Sequence, residues 1–124
     1  MSAGELNLLM EQGATFQQVL TWYEYDASNP PTNAGDPIDI TGYTARMHVR
    51  KKKKSDEYYV SLTTENGRIS LGGTNGQITL LVSAADTEQL DFVEGLYDLE
   101  LVNGDTVYRI VEGTMTFSKE VTRQ

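Results

Sequence analysis

The chain has 124 residues, of which 39% are hydrophobic and 23% charged, and its formal net charge is -8 at pH 7. That length suits one globular domain, residues 1–124, with a single core. The negative balance opposes nucleic-acid backbones and anionic membranes, and the absence of cysteine excludes disulfides and thiolate metal sites while leaving the redox compartment open.

From the N-terminus, MSAGELNLLMEQG lacks a basic region and a long apolar stretch, so no secretory signal is expected. The longest apolar runs, such as Leu80 to Val82, fall far short of the roughly 20 residues of a membrane-spanning helix. LNLLM and ATFQQVLTWYEY, separated by a break at Gly13, are rich in strand formers. The loop Asp26 to Pro37 consists of turn formers without periodicity. In GYTARMHVR, Tyr43, Ala45, Met47 and Val49 alternate with Thr44, Arg46, His48 and Arg50, the pattern of a strand with one buried face. By the same rule Tyr58, Val60 and Leu62 face inward, as do Ile69 and Leu71, then Ile78, Leu80 and Val82, then Tyr97, Leu99 and Leu101.

Turn signals separate these runs. Asn66-Gly67, Asn75-Gly76 and Asn103-Gly104 join residues that tolerate positive φ, as tight hairpins require. Leu96 to Val102 is expected to pair with Thr106 to Val111, with a bulge at Glu112-Gly113 before Thr114 to Ser118. Ser83 to Leu90 breaks the period. Ser83 is an N-cap type residue with Asp86 at the capping-box spacing, which predicts a helical turn near 84–90. About eight short strands imply an all-β, antiparallel two-layer sandwich.

Several groups are candidates for function. Lys51, Lys52, Lys53 and Lys54 follow directly on a strand and precede the next, so they belong to an exposed hairpin tip. The tip is a solvated end, a docking patch for an acidic protein, or a nucleic-acid contact. The last is disfavoured because the surrounding chain is acidic and a broad basic surface with interleaved aromatics is missing. His48, the single histidine, sits between two arginines on a polar face, which suits a surface residue and not a His-rich metal site. No GxSxG occurs, and the glycine-rich LGGTNGQ precedes a strand and lacks GK[ST], so it reads as a β-turn and not a phosphate loop. Asp36, Asp39, Asp86, Asp91 and Glu94 do not match the calcium-loop spacing. Trp22, Tyr23 and Tyr25 form the densest aromatic group, either core and strand edge or an anchor at an interface. Leu6, Leu8, Leu9 and Met10 form a short apolar segment that either completes its own sheet or adds to a partner's edge.

The ordered phrases EQGATFQQVLTWYEYD, DPIDITGYTARMHVRKK, SLTTENGRISLG, GQITLLVSAADTEQLD and GLYDLELVNGDTVYRIVEGTMTFSKEVTR resemble small tailed-bacteriophage virion proteins. They are similar to the immunoglobulin-like domain at the N-terminus of phage baseplate upper proteins, over about residues 5 to 123. IDITGYTARMHVR, ISL-G-x-x-GQITL and GxMTFSKEVTR are the most specific pieces. The resemblance implies an immunoglobulin-like sandwich with no catalytic residues and no cofactor. It implies a virion protein, made in the host bacterial cytoplasm, that contacts other virion proteins in symmetric multiple copies. Larger members of that family continue into a receptor-binding or coiled-coil region. This chain ends at Gln124, which favours an adaptor of the tail, neck or baseplate, with a capsid decoration protein or a carbohydrate-binding module for host-surface glycans as alternatives.

Overall fold

The computed structural model describes residues 4–23 and 36–121. Nine strands run in chain order: β1 Gly4–Glu5, β2 Leu8–Glu11, β3 Phe16–Thr21, β4 Thr44–Arg50, β5 Val60–Thr63, β6 Ile69–Leu71, β7 Gln77–Val82, β8 Glu94–Asn103 and β9 Thr106–Ser118. A short helix α1, Ala84–Glu88, links β7 to β8. The strands form a six-stranded sheet, in the order β1-β9-β8-β4-β5 with β2 also on β9, and a three-stranded sheet, β3-β7-β6. The expected all-β sandwich is what the chain forms. The loop Asp26 to Pro37 falls almost wholly outside the described residues.

Both layers contribute to one core. Ala45, Met47, Val49, Leu62, Leu99 and Leu101 from the large sheet meet Phe16, Ile78, Leu80 and Val82 from the small one. Alternation places these residues on one face because successive side chains of a strand point to opposite sides. The inward face of β8 is fully withdrawn from water at Leu99 and Leu101. Phe92 joins the core as the centre of a ring stack, 4.6 Å from Tyr59 and 4.5 Å from Phe117.

The turn chemistry is simpler than expected. In all three Asn-Gly pairs only the glycine takes positive φ, at 80°, 66° and 61° for Gly67, Gly76 and Gly104. Asn103 pairs with Thr106, so Gly104 and Asp105 form the β8–β9 turn. Positive φ at the first central residue alone is the type II′ pattern. Asn66 and Asn75 instead accept backbone N–H groups through their side chains, from Thr63 and Arg68 and from Gln77. LGGTNGQ closes the β6–β7 hairpin through a 3-10 turn at Gly73–Asn75. Ser83 caps α1, its hydroxyl accepting from the Asp86 N–H at 3.2 Å. The Asp86 carboxylate faces the Arg68 guanidinium at 3.0 Å, so the capping box is only half made.

Four features depart from what the sequence leads one to expect. First, the N-terminal segment is parallel to β9, with Gly4 opposite Val111 and Leu8 opposite Met115, so the sandwich is not wholly antiparallel. Second, β9 is continuous through Glu112-Gly113, and the bulge lies between Leu99/Glu100 and their partners Val111/Arg109, leaving Ile110 unopposed. Third, Gly113 marks a close crossing: a β-carbon there would collide with the Leu6 carbonyl. That carbonyl also accepts the Tyr97 hydroxyl, while Leu6 N–H donates to the Glu112 carbonyl at 2.9 Å. Fourth, Tyr58 faces outward and Tyr59 packs on the core. Tyr59 N–H donates to the Val49 carbonyl just before the regular β4–β5 ladder begins at Val60, and the alternation slips across that step.

Candidate functional site

The outward face of the large sheet carries a groove of about 700 Å³. Its floor is the polar half of the strand alternation: Arg46, His48 and Arg50 from β4, Asp98 and Glu100 from β8, and Arg109 and Glu112 from β9. Register sets Arg46 opposite Glu100, a pair of opposite charges, and His48 opposite Asp98. Arg46 pairs with Glu100 at 2.8 Å, and Arg109 bridges Asp98 at 3.3 Å and Glu112 at 3.8 Å. Cross-strand pairs of this kind hold register more than they add stability.

Two ionisable groups in the groove are perturbed. Burial first, then the negative Glu100, raises the Asp98 carboxyl above its usual range, against the pull of Arg109. Burial first, then the neighbouring Arg50 cation, lowers the His48 ring below its usual range. Arg50 Nη2 lies 2.9 Å from His48 Nδ1. A guanidinium can only donate, so Nδ1 accepts and the neutral ring carries its proton on Nε2. The His48 ring also stacks on Tyr58 at 4.6 Å, and the Arg50 guanidinium lies over the same ring at 5.8 Å. His48 is thus half-buried and built into the sheet surface, a role its place between two arginines did not reveal.

At one end of the groove stands the lysine tip, which contributes Lys53 to its lining. Lys51, Lys52, Lys53 and Lys54 are all exposed, and none forms an ion pair among the described residues. The tip is held in shape from below. Arg50 Nη1 donates to the Ser55 and Asp56 carbonyls at 2.8 and 3.0 Å, Lys52 N–H donates to Ser55 Oγ at 3.0 Å, and Ser55 N–H returns to the Lys52 carbonyl at 3.1 Å. With Arg46, Arg50 and Arg109, this region holds seven of the chain's ten Lys and Arg residues; Arg68, Lys119 and Arg123 are the other three. The positive charge of an acidic protein is therefore gathered at one place. The three arginines are engaged by neighbours, and the four lysines are presented to solvent.

The other candidate residues are dispersed. Leu8 and Met10 are buried, Leu6 packs against the core, and Leu9 alone of the four is exposed. This segment completes its own sheet. Trp22 is half-buried and packs edgewise on Tyr43, with Tyr108 5.2 Å away. Tyr108 was not singled out in the sequence, because only the fold brings β9 beside Trp22. Tyr23 is exposed and bridges to Pro37, and Tyr25 lies outside the described residues. Of the acids, Asp39 accepts from the Thr41 N–H and hydroxyl at 2.9 and 2.6 Å, which lowers its pKa. Asp91 pairs with Lys119 at 2.7 Å, with the same effect. Asp36 and Glu94 are exposed and far apart in the chain.

No family model matches the chain, and no curated protein matches it in sequence.

Proposed function

We propose that this chain is a non-enzymatic structural protein of a tailed-bacteriophage virion, an immunoglobulin-like adaptor or attachment subunit of the tail, neck or baseplate. It acts by docking to other virion proteins, and the lysine tip is its principal docking element. One observation carries this reading: four adjacent lysines, without an ion pair among the described residues, on a tip whose backbone Arg50 and Ser55 hold in place. A tip whose backbone is already fixed loses little backbone entropy when a partner binds, and the field of its lysines steers acidic surfaces toward it. The sandwich fold and the phrase-level likeness to baseplate upper proteins supply the virion context. The aromatic group favours this reading over a glycan platform, because Trp22 is edge-on to Tyr43 at 74° and half-buried, not presented as a flat open face.

The test replaces Lys51 to Lys54 together with glutamine. Because exposed charges contribute little to stability, the variant should melt within about 2 °C of the parent. Its incorporation into particles, read by mass spectrometry of purified virions, should fall at least tenfold. Parental incorporation removes the docking role of the tip, and absence of the parental protein from virions removes the virion reading. The same measurement gives copy number: about six or twelve copies mark a ring in the tail, and hundreds mark the capsid shell.

A further inference from the structure

The brace beneath the lysine tip ends on a group that changes charge. Of the three arginines in the groove, Arg46 and Arg109 pair with carboxylates, and Arg50 pairs with none among the described residues. Its Nη1 donates to the Ser55 and Asp56 carbonyls, and its Nη2 donates to His48 Nδ1 at 2.9 Å. One guanidinium therefore ties the tip to the sheet through three acceptors. Two are backbone oxygens, which keep their lone pairs at any pH. The third is an imidazole nitrogen, which accepts only while the ring is neutral. Tyr58 covers the arrangement, with its ring stacked on His48 and the Arg50 guanidinium above the same ring.

The charges around the ring come from every strand of this face. On β4 itself, Arg46 and Arg50 share the outward side with His48. On β8, Asp98 stands directly opposite the ring and Glu100 stands opposite Arg46. On β9, Arg109 bridges Asp98 and Glu112. Glu5 of β1 and Lys53 of the tip are the remaining charged groups of the groove. On β5 the residue opposite is Ser61, which is uncharged. The nearby acids are thus already matched by Arg46 and Arg109. A charged ring would meet the Arg50 cation at hydrogen-bond distance and would find Asp98 shared.

We infer that protonation of His48 releases Arg50 and loosens the lysine tip, so that the tip is ordered at neutral pH and mobile in mild acid. The functional meaning of this switch rests on the reading of the tip as the docking element. The chemistry is local. Once protonated, Nδ1 is a donor facing the donor Nη2, and two cations stand where one stood. The contact between ring and guanidinium breaks, and the fork loses its anchor on the sheet. Burial and the Arg50 cation outweigh the acids and lower the His48 pKa, so the ordered form is complete above the ordinary histidine range and is lost as the pH falls through the folded value. Docking below that pH carries the added cost of ordering the tip.

Nitrogen-15 relaxation of the isolated protein, from about pH 7.5 to about pH 4.5, brackets the titration of the ring. Backbone order parameters from Lys51 to Asp56 should fall from about 0.85 to about 0.6, while Val49 and Val60 keep theirs. The midpoint should equal that of the His48 ring, read from its Cε1–H shift in the same samples. His48→Asn puts a carbonyl oxygen near the place of Nδ1 and does not titrate, so its tip should stay ordered throughout. Arg50→Lys keeps the charge without the fork, so its tip should be mobile already at neutral pH. Unchanged order in the parent, a loss that follows the Asp98 carboxyl instead of the ring, an equal loss in His48→Asn, or an ordered tip in Arg50→Lys overturns the inference. The parental titration needs no variant and no partner. Its failure leaves the docking test of the lysines untouched, and parental incorporation of the glutamine variant leaves the proton-linked order standing.

Discussion

Leu99 and Glu100 are neighbours in β8, yet they belong to two different kinds of surface. Leu99 lies on the inner face of the large sheet and has no exposed area; Glu100 lies on the outer face, paired with Arg46 in a shallow groove. The inner face carries the cohesion of the fold, because burying apolar area is the dominant favourable term. The outer face carries registry and presentation. Its charges neutralise one another along the sheet floor, and the exposed positive charge of the lysine tip forms no ion pair among the described residues. The two faces should therefore answer mutation on different scales.

The largest effect is expected inside. Leu99→Ala should lower unfolding free energy by about 3 kcal/mol, the range for a fully buried leucine that leaves a cavity. Chemical denaturation checks this through a reduced midpoint at unchanged slope. A loss below about 1 kcal/mol would mean that the two layers do not meet tightly at this point. Gly113→Ala probes the seam where the parallel N-terminal segment crosses β9. The added methyl meets the Leu6 carbonyl, and relieving that overlap should cost about 2 kcal/mol. Amide exchange should show Leu6 to Glu11 losing protection before the rest of the sheet.

On the outer face the effects are smaller and depend on pH. The fold lowers the His48 pKa, so it prefers the neutral ring, and this contribution is present above the ordinary histidine range and lost as the pH falls through the folded value. The fold raises the Asp98 pKa, so it prefers the protonated acid; that contribution is present below the ordinary carboxylate range and lost as the pH rises through the folded value. His48→Gln should accordingly reduce the loss of melting temperature between about pH 7 and pH 5. Asp98→Asn should raise the melting temperature at neutral pH relative to the parent, with less advantage in acid. Thermal melts across that range check both, and an unchanged pH profile in His48→Gln would remove the ring from the account. The smallest effect belongs to Glu100→Gln, expected to cost less than about 1 kcal/mol because Arg46 is half exposed and its pair is screened by water.

Much of this division was legible in single segments. The alternation in TARMHV and YDLELV names both the buried and the exposed members of β4 and β8, since period two is a property of the extended backbone itself. Positive φ at the three Asn-Gly sites and the Ser83 cap are likewise local. The slip from Tyr58 to Tyr59 was not legible, because either tyrosine suits a strand and the choice is made by Val49 and by the stack on Phe92. Gly113 reads as a bulge in isolation and proves to be a crossing point only when Leu6, 107 positions earlier, lies above it.

The candidate site divides in the same way. The lysines announce an exposed tip by their number alone. That Arg50 braces the tip, that Asp98 is half-buried opposite His48, and that Tyr108 closes on Trp22 are consequences of strands brought together from distant parts of the chain. The sequence by itself determined the all-β character, the inward and outward sets of most strands, the turns and the basic hairpin end, because each follows from backbone geometry over a few residues. Tertiary structure decided the parallel course of the N-terminal segment and the groove. Those depend on contacts between residues far apart in sequence, where local preference is the same for several arrangements and packing selects among them.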